Sequence, residues 1–349
     1  MIPTKISLAD FAKSQGIDIV GFEMSAGETN ELIKSIESSL SIPPAFSPDE
    51  DLVVFGSIAR NECVAGSDID WTLLVDGQAN PNHSKLENNI RKKLKKDGFK
   101  DPGTSGMFGH ISFSHELIHN IGGQSDTNHN LSKRILLLLE SLRLSLNGSS
   151  SNSGAYDRII RGILSQYIEH DSGLNSNRPA IPRYLLNDVV RFWRTMCVDF
   201  AYKQKEEEGE KWALRNIKLR ISRKMLFVKG MLMCLSHHGE KQDKPTVIKD
   251  LGLMVRITPI ELLINLQDHF NLKTDDIVDV VKCYNEFLLK LHNKETRAKL
   301  SSMNMKDIYE EGSFIDLRDT ADKLQKALDN IFILHTSPLT KLTSQYAIF

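Results

Sequence analysis

Strand-like and helix-like patterns occupy different parts of this chain, and that separation constrains the fold more than any other feature. Short apolar runs rich in β-branched and aromatic residues, typical of strands, occur at residues 52–55, 69–75 and 107–114. Beyond residue 154 the apolar residues recur at helical spacing almost everywhere. The pattern predicts an α+β chain, with an α/β domain followed by an all-helical domain.

A polar run of asparagine, glycine and serine at residues 147–154 is typical of a flexible linker. The predicted division is therefore an α/β domain with N-terminal helices at 1–147, a helical domain at 148–334 and a flexible C-terminal tail at 335–349. Helices are predicted at residues 7–13, 28–39, 86–96, 131–146, 156–170, 184–203, 212–235, 259–270, 274–293 and 315–332.

Charge and cysteine content narrow the possible functions only a little. The 44 Lys+Arg and 45 Asp+Glu residues leave a formal net charge of −1, so affinity for phosphates has to come from local clustering. The four cysteines are far apart, without metal-binding spacing, and indicate reduced thiols. With neither a signal-peptide pattern nor an apolar run long enough for a bilayer, we expect a cytoplasmic protein without a membrane segment.

One segment carries a chemically specific pattern: an apolar run ending in Gly56-Ser57, then ten residues, then Asp68-Ile69-Asp70. Glycine permits close backbone approach to a ligand, and a helix opened by Ser57 would offer free N–H groups to a phosphate. Asp68 and Asp70 are two apart on a predicted strand, so their side chains share a face. Two such carboxylates suit Mg²⁺ bridging triphosphate oxygens, and thus two-metal phosphoryl transfer.

At Gly56, Ser57, Asp68 and Asp70 the chain resembles the polymerase-β-type nucleotidyltransferases, in which Gly-Ser is followed about ten residues later by Asp-x-Asp. The resemblance implies a mixed sheet, a helical partner domain and two Mg²⁺ or Mn²⁺ ions. It also implies transfer of a nucleoside monophosphate from an NTP or dNTP to a hydroxyl, with release of pyrophosphate.

The resemblance also implies a third acidic metal ligand on a later strand. Strand alternation from His110 through Ser112 and Ser114 places Glu116 on the required face. Asp126, in a glycine-rich segment, is the alternative. Either carboxylate is also typical of a helix N-terminus, so the sequence leaves the choice open.

Two successive helices of the helical domain carry basic stripes. Arg183, Asn187, Arg191 and Arg194 follow one another at spacings of four, four and three. The next helix has five cations close together, which favours a polyanionic ligand: Arg215, Lys218, Arg220, Arg223 and Lys224. Helical domains of the resembled enzymes place a lysine and a serine against the triphosphate, and Lys218 and Ser222 match that pair.

Residues 55–142 and 183–229 also look like bacterial stand-alone nucleotidyltransferases of antiphage defence, including cyclic-oligonucleotide synthases and the Hailong-system enzyme. The latter resemblance implies single-stranded DNA oligomers primed from a C-terminal hydroxyl, a membrane effector encoded nearby as partner, and possible homo-oligomers. Tyr346 is the preferred primer because a phenol has a pKa near 10. A protein-modifying enzyme of the AMPylating toxin–antitoxin type and a catalytically silent nucleotide-binding module remain alternatives.

Overall fold

A computed structural model describes residues 6–40, 46–100, 102, 106–146, 154–175, 180–206, 211–239, 243–303 and 312–347. The chain divides into two units. The α/β unit comprises Ala26–Ser172 and Gln242–Arg256, and the helical unit comprises Met1–Ser25, Gly173–Lys241 and Ile257–Phe349. The coarse α+β prediction is confirmed.

The units divide at positions other than those predicted from the sequence. The first 25 residues fall to the helical unit, whereas the helix Ala155–Glu169, predicted to lie beyond the interdomain boundary, falls to the α/β unit. That helix packs on two strands of the sheet, and packing, unlike linker composition, decides which unit a helix joins. Residues 147–153 of the predicted linker lie outside the described residues.

Four strands among the described residues form one mixed sheet in the order β3-β2-β1-β4. They are β1 Glu50–Phe55, β2 Trp71–Val75, β3 His110–Phe113 and β4 Ser141–Arg143. β1 is antiparallel to β2 and β4, and β2 is parallel to β3. The strand β4 was not predicted: the helix expected over 131–146 ends at Leu139, and Leu142 instead pairs with Val54.

The helices in the described part of the chain are α1 Leu8–Gln15, α2 Val20–Leu40, α3 Pro81–Lys96, α4 Ser114–Ile118, α5 Asn128–Leu139, α6 Ala155–Glu169, α7 Arg183–Glu206, α8 Trp212–Lys218, α9 Lys224–Leu235, α10 Lys244–Val255, α11 Pro259–Asn265, α12 Gln267–Phe270, α13 Thr274–His292, α14 Lys294–Ser302, α15 Gly312–Asp329 and α16 Pro338–Tyr346. A 3₁₀ turn occupies Ser172–Asn175, and π-helical turns occupy Leu219–Arg223 and Asn330–Leu334.

Strand alternation gives the sheet two chemically different faces. Leu52, Val54, Trp71 and Leu73 point into an apolar core that is completed by α2 and α3. The intervening residues point to the opposite face, where α6 packs on β1 and β2. Asp70 precedes Trp71 and belongs to this second face.

The C-terminal segment differs from the flexible tail expected at 335–349. Residues 338–346 form α16, and the Ser337 side chain accepts a hydrogen bond from the Thr340 N–H at its start. Leu339 is fully buried, and Leu342 and Tyr346 are nearly so, because this short amphipathic helix packs on α9. No helix in the described ranges is both long and apolar enough to cross a bilayer.

Candidate active site

The first part of the candidate site is the sharp turn that follows β1. Gly56 has a φ of 68°, in the left-handed region that residues with side chains rarely adopt. A Cβ atom added there would lie 3.1 Å from Asp70 Oδ2. Glycine is therefore required both by the backbone conformation and by the close approach of the Asp70 carboxylate.

Residues 56–61 form successive turns, so the prediction that Ser57 opens a helix is wrong. The Arg60 N–H donates to the Gly56 carbonyl at 3.1 Å, and the Glu62 N–H donates to the Ser57 carbonyl at 2.8 Å. Right-handed geometry does not continue because Asn61 also has a positive φ, 61°. A phosphate contact at Gly56-Ser57 would therefore depend on the backbone of a turn and not on a helix dipole.

Arg60 fixes this turn to the end of α5. Its Nε lies 2.9 Å from Glu62 Oε2, and its Nη1 pairs with Glu140. The three side chains are only 7–11% exposed, and pairs shielded from water are much harder to break than surface pairs. No local pattern predicts this contact, because Glu140 lies 80 residues after Arg60.

Asp68 and Asp70 lie immediately before β2. Ile69 between them is buried in the same core as Trp71, so the two carboxylates are directed away from that core. Asp68 is exposed and Asp70 is half-buried. The Phe55 N–H donates to the Asp70 carbonyl at 2.8 Å, which extends the pairing of β1 with β2 by one residue and brings Asp70 beside the Gly56 turn.

The chemistry of Asp68 and Asp70 fits a divalent cation. Carboxylate oxygens are the donors that Mg²⁺ prefers, and Mg²⁺ commonly takes one or two of them together with substrate phosphates. Among the residues the structure describes, no group of three His, Cys, Asp or Glu side chains is arranged to hold a metal ion. Within the described ranges, the candidate metal-binding set is thus the aspartate pair, with no third ligand assembled beside it.

Glu116 is not positioned as the sequence predicted. The strand β3 ends at Phe113, and Glu116 is an exposed residue in the first turn of α4. The strand alternation used to place it therefore stops three residues too early. Its carboxylate instead acts electrostatically on His129 and Lys133 of α5.

The alternative third ligand, Asp126, is committed to a buried ion pair. Arg134 Nη1 and Nη2 donate to its two oxygens at 3.0 and 2.9 Å, and the Gly122 N–H donates to Oδ2 at 3.0 Å. Arg134 is fully buried and also donates from Nε to the Tyr167 hydroxyl at 2.7 Å. Asp126 is therefore a structural counter-ion and not a metal ligand.

The first predicted basic stripe lies on α7. Asn187, Arg191 and Arg194 are exposed, as the helical spacing predicted, and Arg191 lies 3.9 Å from Asp188. Arg183 makes a cation–π contact instead: its guanidinium carbon lies 4.9 Å from the centre of the Tyr346 ring. Phosphate binding by the other three side chains stays a prediction.

The second basic stripe is used largely within the helical unit. Arg220 pairs with Asp322, and Lys224 donates to Gln325, both on α15. Ser222 is 2% exposed, and its hydroxyl donates to the Lys218 carbonyl at 3.2 Å. The expected triphosphate contact by Ser222 is not supported, because the π-helical turn at Leu219–Arg223 packs against α15. Asp322 and Gln325 of α15 thus relieve part of the repulsion that favoured a polyanion.

Tyr346, the candidate primer, is packed and not free to move. It is 8% exposed, its ring lies under Arg183, and the His238 ring centre is 5.9 Å away. The priming role predicted for Tyr346 requires a mobile C-terminal segment, whereas Tyr346 belongs to a helix that packs on α9.

Lys133 is a candidate site residue that was not predicted from the sequence. This residue of α5 is 6% exposed although it carries an amine. Burial lowers its pKa from 10.5 to about 8, and Glu116 offsets part of that effect. Two adjacent cations, Lys133 and Arg134, inside the otherwise mostly apolar run of residues 131–139 were the available signal.

No protein family matches this chain. No curated protein matches it either.

Proposed function

We propose that this protein is a metal-dependent nucleotidyltransferase that moves a nucleoside monophosphate from an NTP or dNTP to a hydroxyl and releases pyrophosphate. The observation that supports this proposal most is the close approach of the Gly56 turn to the Asp70 carboxylate. A Cβ atom added at Gly56 would lie only 3.1 Å from Asp70 Oδ2. Two motif halves separated by ten residues in the sequence meet at one point, at the end of β1 and the start of β2.

Each residue of the motif has a distinct task in this proposal. Asp68 and Asp70 hold Mg²⁺, which when bound neutralises triphosphate charge and makes an attacking hydroxyl more acidic. Gly56 lets the backbone come close to the phosphates without a side chain intervening. Ser57 offers the N–H and hydroxyl groups of the turn as phosphate donors.

The product is proposed from the sequence resemblance alone: a nucleotide oligomer, such as single-stranded DNA, made in antiphage defence in the cytoplasm. The buried position of Tyr346 favours an acceptor hydroxyl other than this phenol. A protein-modifying activity differs from oligomer synthesis only in the acceptor, and a silent binding module differs in having no turnover.

The test is incubation of the purified protein with each α-labelled NTP and dNTP and Mg²⁺ or Mn²⁺, followed by a denaturing gel. We expect labelled product from the wild type and none from Asp68→Asn or Asp70→Asn. The matched control is Asp97→Asn, which neutralises an exposed carboxylate of the same unit and should stay active. Labelled protein without oligomer would support the protein-modifying reading, and activity in both motif variants would contradict the proposal.

A further inference from the structure

Lys133 is a nearly buried cation that lacks a direct counter-ion. It is 6% exposed, and no hydrogen bond or ion pair to its amine is found among the described residues. Glu116 is the negative charge that acts on it, and Glu116 is itself exposed to water. A lysine whose side chain is largely removed from water, with no hydrogen-bonded partner for its ammonium, destabilises the folded state. Packing alone does not account for lysine at this position.

Lys133 lies on the same side of α5 as Glu140, the residue that pairs with the turn of the candidate site. His129, Lys133 and Glu140 are spaced by four and seven residues, so they follow one stripe along α5 and its C-terminal end. Glu140 pairs with Arg60 in the turn that begins at Gly56. Seven residues of helix place Lys133 about 10 Å along the axis from Glu140.

The other end of this stripe approaches the start of β3. His129 is influenced electrostatically by Glu116 and by His110, and His110 is in register with Thr72 on β2. Thr72 and Asp70 are two residues apart and therefore share a sheet face. Lys133 thus belongs to a helix that packs on α4, α6 and β4, and its neighbour His129 interacts electrostatically with His110 at the start of β3.

That sheet face carries two buried hydroxyl groups that packing does not explain. Thr72 and Ser112 are 0% and 2% exposed. Their hydroxyls lack hydrogen-bond partners among the described residues. The register pairs Leu74 with Ser112, so both hydroxyls occupy the face of Asp70. Buried hydroxyls without partners are unfavourable, as is the unpaired amine above.

We propose that Lys133 is a phosphate-binding residue of the candidate active site, contacting either the triphosphate of the nucleotide or a backbone phosphate of the acceptor strand. This inference rests on the proposed function for the identity of the ligand. A lysine ammonium is a compact charge that suits phosphate oxygens. A phosphate would provide the direct counter-ion that the folded chain does not.

The first experiment measures binding of inorganic tripolyphosphate by calorimetry in EDTA, where the aspartates hold no metal. Lys133→Met retains the length of the side chain and removes the charge. Its matched control is Lys92→Met, an exposed lysine of α3 in the same unit. We expect Lys133→Met to weaken binding at least tenfold and Lys92→Met to leave it unchanged. Lys133→Arg, which keeps the charge, should bind more tightly than Lys133→Met.

A second arm replaces tripolyphosphate with a short single-stranded oligonucleotide that lacks a triphosphate. If Lys133→Met weakens tripolyphosphate binding, Lys133 contacts the triphosphate of the nucleotide. If it weakens only oligonucleotide binding, Lys133 contacts the acceptor strand. Unchanged binding in both arms overturns the proposal. Asp70→Asn separates the two proposals, since it should abolish transfer without weakening metal-free tripolyphosphate binding. If wild type transfers no nucleotide while Lys133→Met still loses anion binding, the proposed function fails and the anion site stands.

Discussion

The Asp126→Asn variant should unfold at a lower temperature than the wild type, but it should not lose a metal ligand. The substitution keeps the shape of the side chain and removes the charge that faces Arg134, which is 0% exposed. Two hydrogen bonds of 3.0 and 2.9 Å then lose their ionic character. Breaking one side of a buried ion pair costs about 3–5 kcal/mol, which corresponds to a fall in Tm of roughly 10 °C for a unit of this size.

The assay is thermal unfolding followed by circular dichroism, with Asp70→Asn as the comparison. Asp70 is half-buried at the edge of the candidate site, and its variant should melt within about 2 °C of the wild type. Adding Arg134→Met to Asp126→Asn should restore part of the stability, because an apolar side chain no longer needs a counter-ion. A normal Tm for Asp126→Asn, together with loss of metal-dependent activity, would refute the structural role of Asp126.

Three further predictions follow from single contacts. Gly56→Ala should lower nucleotide transfer at least tenfold, because a methyl group meets the Asp70 carboxylate; Gly77→Ala, where nothing lies within 4 Å, should stay active in the same gel assay. Lys133→Met should be more stable than wild type by about 3 kcal/mol at pH 7. This difference in the free energy of unfolding should shrink as the pH rises from about 8 towards 10.5, because Lys133 loses its proton at a lower pH in the folded protein than in the unfolded chain. A difference that stays constant with pH in urea denaturation would contradict this. Tyr346→Phe should make the same amount of product as wild type, and intact mass spectrometry should find no nucleotide on Tyr346.

The parts of the site that the sequence predicted correctly are those specified by neighbouring residues. An apolar run ending in glycine, and an isoleucine between two aspartates, carry their own strand and turn signals. The predicted start of the second strand was nevertheless wrong by two residues, because β2 begins at Trp71 and not at Ile69. The strand β4 could not be predicted, since a segment of three residues becomes a strand only through its pairing with β1.

The incorrect expectations for the second basic stripe and for Asp126 share one physical origin: a partner distant in the sequence. Arg220 and Asp322 are 102 residues apart, so the basic stripe gave the impression of unbalanced charge. Arg134, inside a mostly apolar helix, similarly forms an ion pair with Asp126. Spacing on one element identifies which side chains share a face, but it does not identify what covers that face.

The most direct test of the central claim is the phosphorus product released when the protein consumes a triphosphate. Phosphorus NMR of wild-type protein with Mg²⁺ and the preferred nucleotide should detect pyrophosphate in equal amount to the transferred monophosphate. Asp70→Asn should release none, and Asp97→Asn should match the wild type. Release of orthophosphate instead of pyrophosphate, or equal release by Asp70→Asn, would contradict nucleotidyl transfer at this site.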